Sequence, residues 1–366
     1  MLRGDNVVLF AVGGGKEKGY RHAIRASILA HTCMGQGLEV SFICAHGDVS
    51  AYLKRRGFPH VHVTDETHLL RDSTAQKLSL LVWDAGTPLT LEGVEYLHHN
   101  DVFVLEFDAS DGTSHADEVV NGFEPTLHSA TGRQFQLVGP KYFVIDNNFC
   151  NAREWRRATS VLQNGLGLFI CFGGSDPGQL LESTLEVLTD IPACRSIQLR
   201  AVAGFDRRKE KDIRRRFSAF KNLQVHAEAN ASIVAQLMRF SFLGIISFGT
   251  ILVEAMAAEL PVLMVNPTEA HEEYAARVLK GIFTGTGKAL GYSPRIDWNV
   301  LHGELAYLLD RPREVERMQA ATHRLVDGQG AQRISRYLYN YQENRGKGPG
   351  SWVRGKEHRE TIPLSL

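Results

Sequence analysis

The sequence predicts an α/β protein of two doubly wound, Rossmann-like domains facing each other across a central cleft. Three observations carry that prediction. Short apolar, β-branched runs alternate with helical patterns along the chain. Several runs are apolar on both faces, as parallel strands covered by helices on each side should be. The alternation also falls into two sets, separated by a polar stretch at 146–160. At 366 residues the chain exceeds what one core usually supports, which favours two domains of ordinary size.

The strand candidates of the first set are NVVLFAV, LEVSFIC, HVHV, LSLLVWD and DVFVLEF, and those of the second are GLFICFGG, SIQLRAVAG, LQVHAE, FLGIISFG and PVLMVNP. Helices belong between them. Ile24, Ile28 and Leu29 recur at helical spacing, as do Leu180, Leu181, Leu185 and Leu188. The resulting division is an N-terminal domain over 1–150, a C-terminal domain over 151–342 and a loosely ordered tail over 343–366, rich in Gly and charge without periodicity.

Composition narrows the function classes. Lys plus Arg and Asp plus Glu both number 41, and no basic run offers a track for nucleic acid, so a polyanion binder is not expected. Cys33, Cys44, Cys150, Cys171 and Cys194 are odd in number and widely spaced, the pattern of free thiols in a reducing compartment. No stretch approaches the roughly 20 apolar residues of a membrane span, and the N-terminus lacks a signal-peptide core. The expectation is a cytoplasmic soluble protein.

Three segments carry chemistry. In FAVGGGKEKGYRHAIRAS, Gly13, Gly14 and Gly15 follow the first strand, but the charged Lys16, Glu17 and Lys18 make the loop too long for a Rossmann pyrophosphate turn. His22, at the start of the next helix, is therefore the group of interest. In FICFGGSDPGQLLESTLEVL, Gly173 and Gly174 permit close backbone approach, Ser175 or Asp176 caps the helix, and Pro177 suits its first turn. Such a helix start accommodates a diphosphate as readily as it serves as a plain well-capped turn. In SFGTILVEAMAAELPVLMVNP, Gly249 and Thr250 form a second such turn. Glu254, four residues on, either accepts ribose hydroxyls or merely complements the helix dipole, worth under about 1 kcal/mol. Two turns at equivalent strand ends of one domain favour a nucleotide site. His60 with His62, and His98 with His99, lack metal-ligand spacing and nearby carboxylates, so no metal site is expected. No G-x-S-x-G elbow is present, which removes support for acyl transfer.

The order G-x-x-H-x-x-R (Gly19, His22, Arg25), VWD ending at Asp84, LVGPKYFVI, FGGSDP and SFGTILVEAMAAELPVLMV resembles the UDP-sugar hydrolases of pseudaminic acid biosynthesis. Those enzymes release UDP from UDP-2,4-diacetamido-2,4,6-trideoxy-β-L-altropyranose and are related to the inverting glycosyltransferases that make lipid II. The motifs span roughly residues 7 to 290. The resemblance implies a GT-B fold with a UDP-sugar as the bound partner. Gly173, Gly174, Ser175, Asp176, Gly249 and Thr250 would lie at the phosphates, Glu254 at the ribose, and His22 at the anomeric carbon. Arg25 would bind substrate, and Asp84 would orient His22 or bind a sugar amide. Backbone N–H groups and helix dipoles would meet the charge on the departing diphosphate, so neither metal nor cofactor is expected.

The chain departs from the family pattern in three places. Arg21 replaces a glycine, AGTPL follows Asp84 in place of an aromatic, and His271 with Glu272 falls where Asn-Gln is common, near the sugar. Three functions therefore compete: a hydrolase, an inverting transferase, and a catalytically silent nucleotide-sugar-binding protein.

Overall fold

The computed structural model describes residues 7–15, 19–65, 68–74, 78–158, 167–174, 176 and 178–345. The first sheet comprises β1 (Val7–Val12), β2 (Glu39–Cys44), β3 (Val61–Val63), β4 (Leu80–Asp84), β5 (Phe103–Phe107) and β6 (Glu118–Val120). The second comprises β7 (Gly167–Cys171), β8 (Gln198–Val202), β9 (Leu223–His226), β10 (Leu243–Ile246), β11 (Val262–Asn266) and β12 (Gly287–Tyr292). All the predicted strands form, and the structure adds β6 and β12.

Each sheet is wholly parallel. The orders are β3-β2-β1-β4-β5-β6 and β12-β11-β10-β7-β8-β9, so both follow the doubly wound 3-2-1-4-5-6 path. Parallel strands need helices on both faces, and the core divides accordingly. One face of the first sheet packs Phe10, Phe42 and Leu105 against the helix Arg21–Gly35 through Ala26 and Leu29. The other face packs Leu9, Ile43 and Trp83 against Val94 and Leu97. The second sheet is likewise covered on both faces, around Phe169 with Met256 and around Ile170 with Leu185.

Domain boundaries follow burial and differ from the sequence expectation at the C-terminal end. The helix Asn147–Ala158 enters the second domain, where Phe149 and Ala152 join its core. The last helix, Gly330–Asn344, falls within the 151–342 range but returns to the first domain. Its Ala331, Ile334 and Leu338 are buried with Phe10 and Phe42, and Gln342 accepts a hydrogen bond from Ser79 at 3.1 Å. The correction has a simple physical cause: the apolar stripe of this helix fits the face of the helix Arg21–Gly35, which the first domain leaves open. Of the predicted tail, 346–366 lies outside the described residues.

Candidate active site

In a doubly wound sheet, ligands gather at the carboxyl edge where the strand order reverses, because the loops on either side diverge there and leave a crevice. The reversal lies between β1 and β4 in the first sheet and between β7 and β10 in the second. The strand ends are level, Val12 opposite Asp84 and Cys171 opposite Ile246. The loops after these four strands carry the three motif segments and Asp84.

In the first domain the glycine loop is held tight against β4. Gly13 donates from its backbone N–H to the Asp84 carbonyl at 3.0 Å, and a Cβ there would lie 1.9 Å from the Ala85 carbonyl oxygen. The loop closes by Gly15 N–H donating to the Gly19 carbonyl, also at 3.0 Å. The chain then enters the helix Arg21–Gly35 with His22 at its second position. His22 is buried, and its Nδ1 lies 2.5 Å from Asp84 Oδ1. Arg25 reaches the same carboxylate with Nε at 2.9 Å and Nη2 at 2.6 Å. It also binds Asp108, at the end of β5, with Nη1 at 3.0 Å and Nη2 at 2.8 Å. Its guanidinium stacks 4.2 Å from the Phe107 ring centre.

This network fixes charge. Burial works to raise the Asp84 pKa, but the Arg25 charge and the hydrogen bonds from His22 and Arg25 hold it down at about 2. Burial likewise opposes the charge on Arg25, and Asp108 and Asp84 keep it firmly protonated. An ionised Asp84 accepts from His22, so the imidazole proton belongs on Nδ1 and the lone pair on Nε2. That nitrogen accepts from Arg21 Nε at 3.1 Å. Gly86, at φ +77°, leaves room beside it, since a Cβ there would come within 3.1 Å of Nε2.

The second domain supplies two glycine turns. Gly173 has φ +83°, and Gly174 packs so closely on Phe205 that a Cβ would meet the ring at 2.2 Å. Asp176 accepts from the N–H groups of Leu180 and Leu181 at 2.9 and 3.1 Å and from Lys209 Nζ at 2.8 Å, so its carboxylate caps the helix Leu180–Thr189. Ser175 and Pro177 lie outside the described residues. Gly249, at φ +145°, opens the helix Thr250–Ala257, whose first turn has neither a side-chain cap nor an acidic residue. The Leu252 N–H donates to the Gly249 carbonyl at 3.1 Å, which leaves the N–H groups of Thr250 and Ile251 available to an anion.

Glu254 sits half-buried one turn further on, without a hydrogen-bond partner among the described residues. Burial, with Asp146 adding its negative charge, pushes its pKa up to about 8. Asn266, at the end of β11, accepts from Phe248 N–H and donates to Glu272 Oε2, each at 2.7 Å, and so ties Glu272 to the Phe248–Gly249 turn. His271 Nδ1 is 2.6 Å from Thr268 Oγ1. Burial and the Arg21 charge lower its pKa, which places Arg21 near it across the cleft. The Tyr20 ring meets Phe205 edge-on, with centres 5.6 Å apart, so the His22 loop and the Gly173–Gly174 turn face each other.

The structure thus brings His22, Asp84 and Arg25 into one cluster and arrays Gly249, Thr250, Glu254, His271 and Glu272 around β10 and β11. Asp108, Gly86 and Asn266 were not singled out from sequence; the signal for Asp108 is that it ends its strand as Asp84 ends VWD. His98 does have a carboxylate neighbour, Asp117 at 3.0 Å, but the pair is exposed. Among the described residues no cluster of three or more His, Cys, Asp or Glu side chains could hold a metal. No described helix is long and apolar enough to cross a membrane. A cavity of about 460 Å³ is lined by Ile28, His31, Arg55, Asp146, Gln332 and their neighbours, none of them a predicted site residue. The chemistry-bearing groups lie instead at the strand ends.

Two such sheets, with their reversal points turned toward one cleft, make a GT-B fold. No family model matches the chain. It is 26% identical over 351 residues to the spore coat polysaccharide biosynthesis protein SpsG of Bacillus subtilis, covering 92% of this chain and 99% of that one. Among solved structures it is similar to MurG of Acinetobacter baumannii, with TM-score 0.64, 16% identity and coverage of 91% and 99%. It is also similar to S. aureus MnaA in a UDP co-structure, with TM-score 0.62, 12% identity and coverage of 92% and 97%.

Proposed function

We propose that the protein is a UDP-sugar hydrolase: it holds UDP in the C-terminal domain and uses His22 to direct water onto the anomeric carbon, releasing UDP and a free sugar. The observation that carries this reading is the Asp84–His22 pair at 2.5 Å, which leaves Nε2 as the only basic atom of the imidazole at the reversal point of the first sheet. The carboxylate fixes the tautomer and steadies the imidazolium that forms when Nε2 takes the proton from water. The C1–O bond to the diphosphate breaks as the water oxygen bonds to C1 from the opposite face. Free N–H groups at the Gly249–Thr250 helix start meet the negative charge on the departing UDP. Glu254 accepts the ribose hydroxyls. We assign the phosphates to Gly173, Gly174, Ser175, Gly249 and Thr250, with Asp176 shaping that loop, and the sugar side to His271 and Glu272. Arg25, spent on two aspartates, acts through Asp84.

The UDP preference is supported by the UDP co-structure of a similar fold, and a role in surface-polysaccharide synthesis by the likeness to SpsG. A UDP-acetamido or deoxy sugar of nonulosonic-acid synthesis is the substrate class suggested by the motif order. Transfer to a hydroxyl acceptor is the second reading, supported by a likeness in fold to a glycosyltransferase of Rickettsia africae over nearly the whole of both chains. Binding is tested by thermal shift. UDP at 100 times its Kd should add about 2.7 kcal/mol of stability, and Glu254→Ala should remove much of the shift. Absence of a shift with every uridine nucleotide sinks the assignment.

A further inference from the structure

We propose that Arg21 is an anion-operated gate on His22: in the empty cleft its guanidinium occupies the accepting nitrogen of the imidazole, and the diphosphate of an incoming donor draws it away. The inference rests on the reading of His22 as the base. Its starting point is a contrast between two arginines four residues apart. Arg25 is clamped by two carboxylates and stacked on Phe107. Arg21 is exposed, and among the described residues its side chain has no carboxylate partner; it donates from Nε to His22 Nε2 at 3.1 Å.

That contact has a mechanistic consequence. Nδ1 is engaged with Asp84 at 2.5 Å, so Nε2 alone can take a proton from the nucleophile, and Arg21 stands where the nucleophile must bind. A cation held only by a neutral nitrogen is weakly held. A diphosphate offers it charge-assisted, bidentate hydrogen bonds of a kind an imidazole cannot match. The direction of travel is also set. Tyr20, the preceding residue, is anchored by its hydroxyl donating to Asp48 at 2.8 Å and by its ring against Phe205 of the second domain. Arg21 therefore leaves the helix start on the side where its charge already reaches His271, toward the Gly173–Gly174 and Gly249–Thr250 turns. Binding the donor thus does two things together: it gives the diphosphate a cation from the opposite domain and exposes the base. Without donor, the base stays covered.

The test uses the full chain and UDP as the anion. With histidine labelled by ¹⁵N and the His22 resonances assigned by loss in His22→Gln, UDP is added to saturation. In the wild type the Nε2 resonance of His22 should move, because its donor departs. In Arg21→Gln it should start displaced and stay there when UDP binds. Calorimetry should find the UDP Kd weakened roughly tenfold to a hundredfold in Arg21→Gln, the loss of a hydrogen bond between charged groups. Arg21→Lys should recover part of that loss. A wild-type Nε2 resonance unmoved at saturation, or a UDP Kd unchanged in Arg21→Gln, overturns the gate while leaving the nucleotide site intact. If UDP does not bind the wild type at all, the functional reading fails and the gate with it.

Discussion

His22 is held by Asp84 at 2.5 Å and keeps one lone pair, on Nε2, which accepts from Arg21 at 3.1 Å. His22→Ala should bind UDP no more weakly than the wild type, because the account gives His22 no contact with the nucleotide and leaves Arg21 available to the diphosphate, while turnover falls roughly 10²- to 10⁴-fold. Steady-state kinetics beside calorimetry checks both; weakened UDP binding with unimpaired turnover would reverse the roles assigned here. Glu254 supplies a pH prediction. Its carboxyl is protonated in the folded protein up to about pH 8 but only up to its ordinary pKa of about 4.5 in the unfolded chain. The folded state therefore binds more protons between these values, so this group's contribution to stability is full below about pH 4.5 and is lost as pH rises to about 8. Glu254→Gln, neutral throughout, should gain melting temperature relative to the wild type across that window; identical pH slopes for the two proteins would contradict it. At this scale the glycine turns were legible because they follow apolar strands directly in sequence, and His22 because it opens the helix after the first of them. Asp108, Gly86 and Asn266 were not, because their roles arise from partners on other strands. Arg21 was legible only as a departure from pattern; its bond to His22 needed coordinates.

The strands missed from sequence are both sheet edges. β6, Glu118–Val120, is three residues long and contains a buried carboxylate, so it lacks an apolar run. Its Glu118 is satisfied by the N–H groups of Val119 and Gln136 at 3.1 and 2.8 Å, a pairing invisible to periodicity. β12, GKALGY, carries two glycines and a lysine, and exists because β11 offers it an edge. The eight central strands were legible because burial leaves them little choice but apolar residues, and the other two edges, β3 and β9, because each still alternates apolar with polar residues. The helix Gly330–Asn344 makes the element-scale prediction. Ile334 is fully buried against the first sheet's core, so Ile334→Ala should cost about 2–5 kcal/mol in chemical denaturation. The UDP-induced stabilisation should survive, since the helix contributes nothing to the nucleotide turns. A loss below about 1 kcal/mol would mean that the helix is not docked as described.

At the scale of the whole molecule, the repeated 3-2-1-4-5-6 order is what makes the site. Each sheet places one crevice at its carboxyl edge, and a cleft between two such edges can hold a nucleotide on one wall and a base on the other. Two domains were legible from the repeated alternation of strand and helix. The return of the last helix to the first domain was not, because an amphipathic stripe says that a helix docks without saying where. The architecture leaves water and a hydroxyl acceptor as alternatives, and they differ in the fate of one oxygen atom. The direct measurement is to incubate the protein with UDP-acetamido sugars in ¹⁸O water and weigh both products by mass spectrometry. Attack by water at the anomeric carbon, activated by His22, predicts ¹⁸O in the released sugar, none in UDP, and loss of the reaction in His22→Ala. Label in UDP, or UDP release that requires an added acceptor and leaves the sugar joined to it unlabelled, would contradict the hydrolase account.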